Sequence, residues 1–441
     1  MAIRFEHTNK VFSRFGGLPL LNRLVDASEI SKKLMPLVPT EGFVGVSTPV
    51  EKFMGLIYGF ACGANCLDDL EVLSEDEGFL SVAGPMISSH RYSEFLVQFD
   101  LQQLRELQSL LIRTSLNMRK MSHGLTEFTL ALDSTKHQQF GFKQEGVNFS
   151  YTNERCLDSL HAYDTHGYPY WYSVRPGETH TSKGAQEVLS AVFKELPKSC
   201  KNRLVLADSG YYSKDFFNAC ALQNARFVVA MRSNIYGPLL GRPLNWFRAP
   251  GGMKFFDGRD FDYAETLYHP VDCDRTLRIV LVRSLRSDHA SGLFAEADYD
   301  YAAFATDIGM HEKSAVDVLK AYRKRSNAEN FIREMKNGID TRRFQCRRLV
   351  ANNALASAAA FANAFLRFLA HIQNKNLVHF AKRLRNKLIF LPCQVVRHGR
   401  NVVFRLMDKN HGEVSNWIKN YNITLSAAFT QSESKPRFLT T

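Results

Sequence analysis

Three acidic side chains, Asp133, Asp208 and Glu329, stand in surroundings that would let them share one chemical task. Asp133 closes an alternating run in which Phe128, Leu130 and Leu132 interleave with Thr129 and Ala131, the period-two pattern of a half-buried strand. Asp208 follows the apolar run Leu204-Val205-Leu206-Ala207 and opens the turn Asp208-Ser209-Gly210-Tyr211. Ligand and metal sites of α/β sheets gather beyond the carboxyl ends of strands. One strand-ending Asp is usually only a turn former; two, matched by a third acid on a cationic helix, make a constellation. That third acid, Glu329, lies in a stretch read as one long helix over 312–338. At about 100° per residue, Tyr322, Arg325, Glu329 and Lys336 share an arc roughly 60° wide. Ala328, Phe331, Ile332, Met335 and Ile339 form an apolar stripe beside it. A plain surface helix with i,i+4 ion pairs has no need of an acid so enclosed by cations.

Three converging carboxylates repel one another unless cations neutralise them. Hard divalent ions such as Mg²⁺ or Mn²⁺ do so through oxygen ligands. Two such ions, about 3.5–4 Å apart, would activate a water or 3′-hydroxyl and stabilise the leaving oxygen of an in-line phosphoryl transfer. Arg325 and Lys336 are then expected on phosphates flanking the scissile bond, with Tyr322 against the backbone.

The charge distribution suits such a substrate. The formal net charge is +12, but residues 322–405 hold 18 basic and 3 acidic side chains, a net +15 that leaves −3 for the rest. Arg333, Arg342 and Arg343 belong to this stretch and are expected to contact DNA. A merely solvated face would more often mix signs.

The elements that must position these residues read as an α/β arrangement. Residues 1–120 look mostly helical, with Thr48-Pro49-Val50-Glu51 a capping box with proline at the first helical position and a Leu-rich helix over 98–118. Asp68, Asp69 and the acids of 74–77 read as helix-end groups. Strands are expected at 157–162, 168–174, 204–207 and 227–231, and helices at 185–196 and 214–224. Alternating strands and helices argue for a mixed sheet covered by helices. The Pro- and Gly-rich stretch 233–306 suggests a β-rich insertion, and 352–370 an alanine-rich helix.

Tyr322-x2-Arg325-x3-Glu329-x6-Lys336 resembles the Tyr-Arg-Glu-Lys signature of the DDE transposases of bacterial insertion sequences. Asp133-Ser134-Thr135, Asp208-Ser209-Gly210-Tyr211 and Arg175-Pro176-Gly177-Glu178-x-His180 are similar to further segments of that family. The likeness runs from about Gly16 to Leu369. It implies a ribonuclease-H-like catalytic core with a β-rich insertion, preceded by a helical domain. It also implies metal-dependent cutting of element ends, often through a hairpin, and joining to a target. Asp133, Asp208 and Glu329 would be catalytic and bind the metal ions. Some relatives stack a tryptophan of the insertion on a flipped base, which makes Trp246 a candidate. Ser134 stands where many relatives carry a second Asp, so any auxiliary role of that acid is absent.

The implied organisation is a DNA-end-binding helical region (1–120), a core in two parts (121–232 and 307–370) around the insertion (233–306), and a basic carboxy-terminal region (371–441) for DNA binding or dimerisation. No clear helix-turn-helix pattern marks the first region. A two-ended DNA substrate implies a homodimer in the active complex. Composition is ordinary for a globular protein, with 45% hydrophobic and 23% charged residues, and 441 residues suggest two or three domains. A polar amino terminus and no long apolar run predict neither signal peptide nor membrane span. Eight scattered cysteines, none in a Cys-x-x-Cys pair, fit a cytoplasmic protein without zinc. A ribonuclease-H-like nuclease that does not join strands, and an inactive DNA-binding descendant, stay open as alternatives. RNA binding lacks a stacking-sheet or Gly-loop motif.

Overall fold

The computed structural model describes residues 7–429 apart from 41–44, 46, 142, 151–152, 257, 272, 287–298, 340, 375–379 and 400. Outside the described residues thus lie the start of the polar amino terminus, the charges of Asp340, Lys375 and Arg400, and the tail from 430.

A short strand β1 (Phe12–Ser13) precedes α1 (Leu18–Ala27), α2 (Ile30–Leu34), α3 (Pro49–Cys62), α4 (Asp68–Leu73), α5 (Glu77–Ala83), α6 (Ser89–Leu96) and α7 (Leu101–His123). The Thr48 hydroxyl accepts from the Glu51 N–H and the Glu51 carboxylate from the Thr48 N–H, the expected capping box. Asp100 and Gln103 cap α7 in the same way. The early acids are helix-end groups: Asp76 caps α5, and Asp69 accepts from the Asn65 N–H ahead of α4.

Next come β2 (Glu127–Gln138), β3 (Asn148–Phe149), β4 (Arg155–Asp164), β5 (Pro169–Pro176), α8 (Ala185–Lys194), β6 (Asn202–Ala207), α9 (Lys214–Leu222) and β7 (Arg226–Ala230). Then follow α10 (Ser233–Leu240), β8 (Phe247–Arg248), β9 (Asp262–Tyr268), β10 (Leu277–Leu285) and β11 (Tyr299–Thr306). One ten-stranded mixed sheet runs β3-β4-β2-β6-β7-β11-β10-β9-β8, with β5 also on β4. β2, β6 and β7 are parallel; β4 pairs antiparallel with β2, and β11 antiparallel with β7. The strands of 247–306 therefore lengthen the central sheet edge-on.

The chain closes with α11 (Ala315–Arg323), α12 (Ser326–Asn337), α13 (Leu349–Gln373), α14 (Ala381–Leu384), β12 (Cys393–His398), β13 (Asn401–Leu406) and α15 (Asp408–Phe429). β1, β12 and β13 form a second, three-stranded sheet. Val188, Leu189, Val192 and Phe193 of α8 join Leu130, Leu132 and Val205 in an apolar layer on one face of the large sheet. Val318 and Leu319 of α11 pack with Ala131, Leu206 and Val228 on the other. α13 meets α3, α7 and β5. It is long and apolar enough to cross a bilayer, yet its whole apolar window is buried within the protein, so its composition reflects a central position.

Two sequence expectations need correction. Asp133 does not end its strand, because β2 continues five residues further to Gln138 against β4. The helix expected over 312–338 is two helices, broken at Lys324–Arg325, where the Arg325 N–H donates to Tyr322 O and the Ala328 N–H to Arg325 O, both at 2.8 Å. These tighter i→i+3 turns interrupt the α-helical ladder.

Beneath the sheet edge, His137 shares 2.7 Å hydrogen bonding with Ser159 Oγ, which also meets His161 Nε2 at 2.7 Å. Burial drives the His137 pKa down to about 3 from its usual 6.5. A histidine held neutral when folded contributes stability above pH 6.5 that is lost as pH falls toward 3. His137→Gln should therefore flatten the fall in stability between pH 6.5 and 5 by about 2 kcal/mol. Urea denaturation across that range checks it; parallel profiles for both proteins would contradict a neutral His137.

Candidate active site

β2 and β6 pair in parallel as far as Ala131 opposite Leu206. Two residues further along each chain stand Asp133 and Asp208, so the register sets them side by side, about 5 Å apart at strand spacing. β6 has ended by then, and Asp208 opens a short turn whose Gly210 N–H donates to its Oδ1 at 2.9 Å. The second Asp thus turns away from the sheet while the first remains in its strand.

The broken helix brings the remaining residues. Tyr322, in the last turn of α11, packs on Phe304 with ring centres 4.4 Å apart. Arg325, at the break, reaches Asp133 Oδ2 with one nitrogen and Glu329 Oε1 with another, each at 2.9 Å. Glu329 sits in the first turn of α12, where the helix dipole favours an anion. Lys336, a half-buried residue two turns on, donates to Thr135 Oγ1 and Lys136 O, both at 2.9 Å. The expectation that Arg325 and Lys336 face phosphates is therefore qualified: in this structure both cations are engaged by the protein itself, one neutralising carboxylates, the other tying α12 to β2.

Burial is the main cause that pushes the Asp133 pKa up to about 6; Arg325 opposes it, and the nearby Asp208 and Glu329 add to it. Burial works against the Arg325 charge, but Tyr322, Asp133, Asp208 and Glu329 around it hold its pKa above the ordinary arginine value. The carboxylates thus carry more negative charge than one guanidinium offsets.

Sequence reasoning missed a supporting layer on the opposite face. Asp158 is fully buried and paired with Lys136 at 3.0 Å and with Arg175. Lys136 also donates to Gly177 O and Thr179 O. These bonds fix the loop whose Thr181 Oγ1 accepts from Ser134 Oγ at 3.3 Å, beside Asp133. Asp158 inside a segment expected to be a strand, 157–162, was the available signal. Also missed was a cleft of about 310 Å³ against Glu329, lined by Lys254, Phe256 and Arg323 among others. Phe256 holds φ at 40°, a left-handed conformation that a bulky residue adopts only when its surroundings enforce it.

Other expected residues are more scattered. Arg333, Arg342 and Arg343 are exposed, Arg343 over the Phe140 ring at 4.9 Å. Trp246 lies apart: Arg283 covers its ring at 4.3 Å and Tyr301 is nearby. Strand alternation puts Arg283 and Tyr301 on the side of Leu281 and Ala303, in the α8 layer, whereas Asp133 shares the side of Ala131 in the α11 layer. The sheet thus separates Trp246 from the carboxylates. Nor is the whole basic stretch a surface: Arg367 and Arg385 are buried, Arg385 donating to Phe60 O, Ala61 O and Gly338 O.

Among the described residues, no three His, Cys, Asp or Glu side chains are already gathered around a metal position. The donor set is nonetheless right in kind for a hard divalent ion: oxygen ligands only, two of them in register, with uncompensated negative charge. All eight cysteines are free, and none belongs to this site. Arg325→Leu should destabilise the protein by about 2–3 kcal/mol at pH 8, since it strands buried charge. The loss should shrink at pH 5, where Asp133, its pKa raised still further, takes up a proton. Millimolar Mn²⁺ should then raise the melting temperature of the variant more than that of the wild type. Equal metal shifts in both proteins would argue against a cation position there.

A family model described as transposase DDE domain group 1 matches residues 2–413. No curated protein sequence matches the chain significantly.

Proposed function

We propose that this chain, which belongs to the family of transposase DDE domains of group 1, is the transposase of a bacterial insertion sequence that cuts element ends and joins them to target DNA. The observation that carries the reading is Asp133 and Asp208 in register at the end of β6, with Asp133 tied through Arg325 to Glu329. The order β5-β4-β2-β6-β7 with α8 and α9 supports a ribonuclease-H-like core, extended by β8–β11. The helices of the first 120 residues would bind element ends, and the carboxy-terminal region DNA or a second subunit.

Asp133, Asp208 and Glu329 would hold two Mg²⁺ or Mn²⁺ ions, which when bound supply activation of the attacking hydroxyl and stabilisation of the leaving oxygen. The protein's own part is positioning. β2 and β6 set two carboxylates, α12 adds the third, and Lys336 holds α12 against β2. As DNA and metal enter, Arg325 would exchange its carboxylates for a phosphate, an exchange between like charge-assisted bonds. Lys254, Arg323 and Phe256 in the cleft beside Glu329 would guide the strand that leaves the site, with Arg333, Arg342 and Arg343 on flanking phosphates. A base-stacking role for Trp246 would require Arg283 to leave its ring. The enzyme would work in the cytoplasm, as a dimer on paired ends.

Purified protein with element-end DNA and Mg²⁺ tests the proposal, wild type against Glu329→Gln. Cleavage and joining by wild type, with at least a 100-fold loss and retained binding in the variant, are expected. Cleavage without joining would favour the nuclease; equal activity in both proteins would remove Glu329 from the mechanism. Binding without cleavage by either would indicate an inactive descendant.

A further inference from the structure

A second cavity, of about 320 Å³, opens at the opposite end of the sheet, where β2 and β6 begin. Lys201 ahead of β6, Lys313 ahead of α11 and Lys324 at the helix break all line it. All three are exposed, and among the described residues none has an ion pair or side-chain hydrogen bond. The neighbouring arginines differ. Arg226 is paired with Glu312 at 2.8 Å and Asp307 at 3.5 Å, and Arg203 donates to Cys200 O and Gln223 O. Glu127 is the other acid at the rim. Three separate elements therefore bring three lysines without an ion pair to one concavity, against the single carboxylate of Glu127 that likewise has none among the described residues, and this excess of positive charge favours an anion there.

The cavity is also placed along the site's own axis. Thr129 in its wall belongs to β2, on the same side of the sheet as Asp133 and four residues before it, about 13 Å along the strand. Lys324 directly precedes Arg325. The consecutive cations Arg323, Lys324 and Arg325 line the cleft by Glu329, this cavity and the carboxylate site respectively. The helix break is what spreads them.

We propose that this cavity is a phosphate-binding site for duplex DNA, in which Lys201, Lys313 and Lys324 hold the backbone about four base pairs from the phosphate at Asp133. The inference rests on the DNA-processing reading above and adds to it the direction of the duplex, along α11 toward the start of β2 and β6. The contact is to backbone and carries no sequence information.

The test is binding of a fluorescein-labelled duplex of arbitrary sequence to the full-length protein, over a series of salt concentrations. The variant is Lys201→Ala/Lys313→Ala/Lys324→Ala, with the exposed Lys194→Ala/Lys214→Ala/Arg275→Ala as control. The cavity variant should bind roughly 10–100-fold more weakly near physiological salt, and its log–log salt slope should fall by about 2–3. The control should match wild type. Should the variant not fold, acetylation of wild-type lysines read by mass spectrometry replaces it: duplex should protect Lys201, Lys313 and Lys324 but not Lys194 or Lys214. Wild type that binds and cuts DNA, beside a cavity variant with an unchanged slope, would overturn this inference and leave the catalytic reading intact. Wild type that binds no DNA would overturn both. Protection of the three lysines by inorganic phosphate but not by duplex would assign a small-anion site and overturn the DNA path.

Discussion

Two carboxylates held side by side in a half-buried pocket, with a third on a neighbouring helix, cannot remain charged without a cation between them. In this protein Arg325 fills that need, and much of the local architecture follows from where it must stand. Its guanidinium joins β2 to α12 across 192 positions of sequence. Tyr322, three residues earlier, stays in the apolar layer against Phe304. The turn at Lys324–Arg325 lets one short segment meet both demands. The break in the helix is thus part of the site's construction.

Positioning of α12 is reinforced at its other end. Lys336 ties it to β2, the Glu334 carboxylate accepts from the Ala381 N–H, and Arg385 bridges Gly338 O to the end of α3. The helix that carries Glu329 is therefore held by contacts reaching the amino-terminal helices and the carboxy-terminal segment alike. The sheet supplies the complementary rigidity. The parallel pairing of β2 with β6 fixes the relative height of Asp133 and Asp208, since a slip of one residue would turn one of them to the opposite face.

Charge is distributed by the same logic. Basic residues that looked uniform along 322–405 separate into internal cations with structural partners, such as Arg367 and Arg385, and exposed ones such as Arg333, Arg342 and Arg343. Buried cations satisfy carboxylates and helix-end carbonyls, which desolvation makes necessary. The second group, with the lysines of the far cavity, is exposed and open to a polyanion.

Local patterning in the sequence determined much of this protein: the strand runs that lead into Asp133 and Asp208, the capping box at Thr48, the α8 stripe, and the spacing of Tyr322, Arg325, Glu329 and Lys336. Those features depend on neighbours a few residues away, so a linear reading reaches them. The structure alone decided how far β2 extends, because its continuation is stabilised by β4 and leaves no mark in β2 itself. It decided the helix break, since Lys324 and Arg325 are good helix formers with no Gly or Pro to announce the interruption. It also put Trp246 behind the sheet, Phe256 beside Glu329 and Arg325 on two carboxylates. Each of these depends on which distant segments pack together, and long-range pairing is set by the burial of the whole chain rather than by any local run of residues.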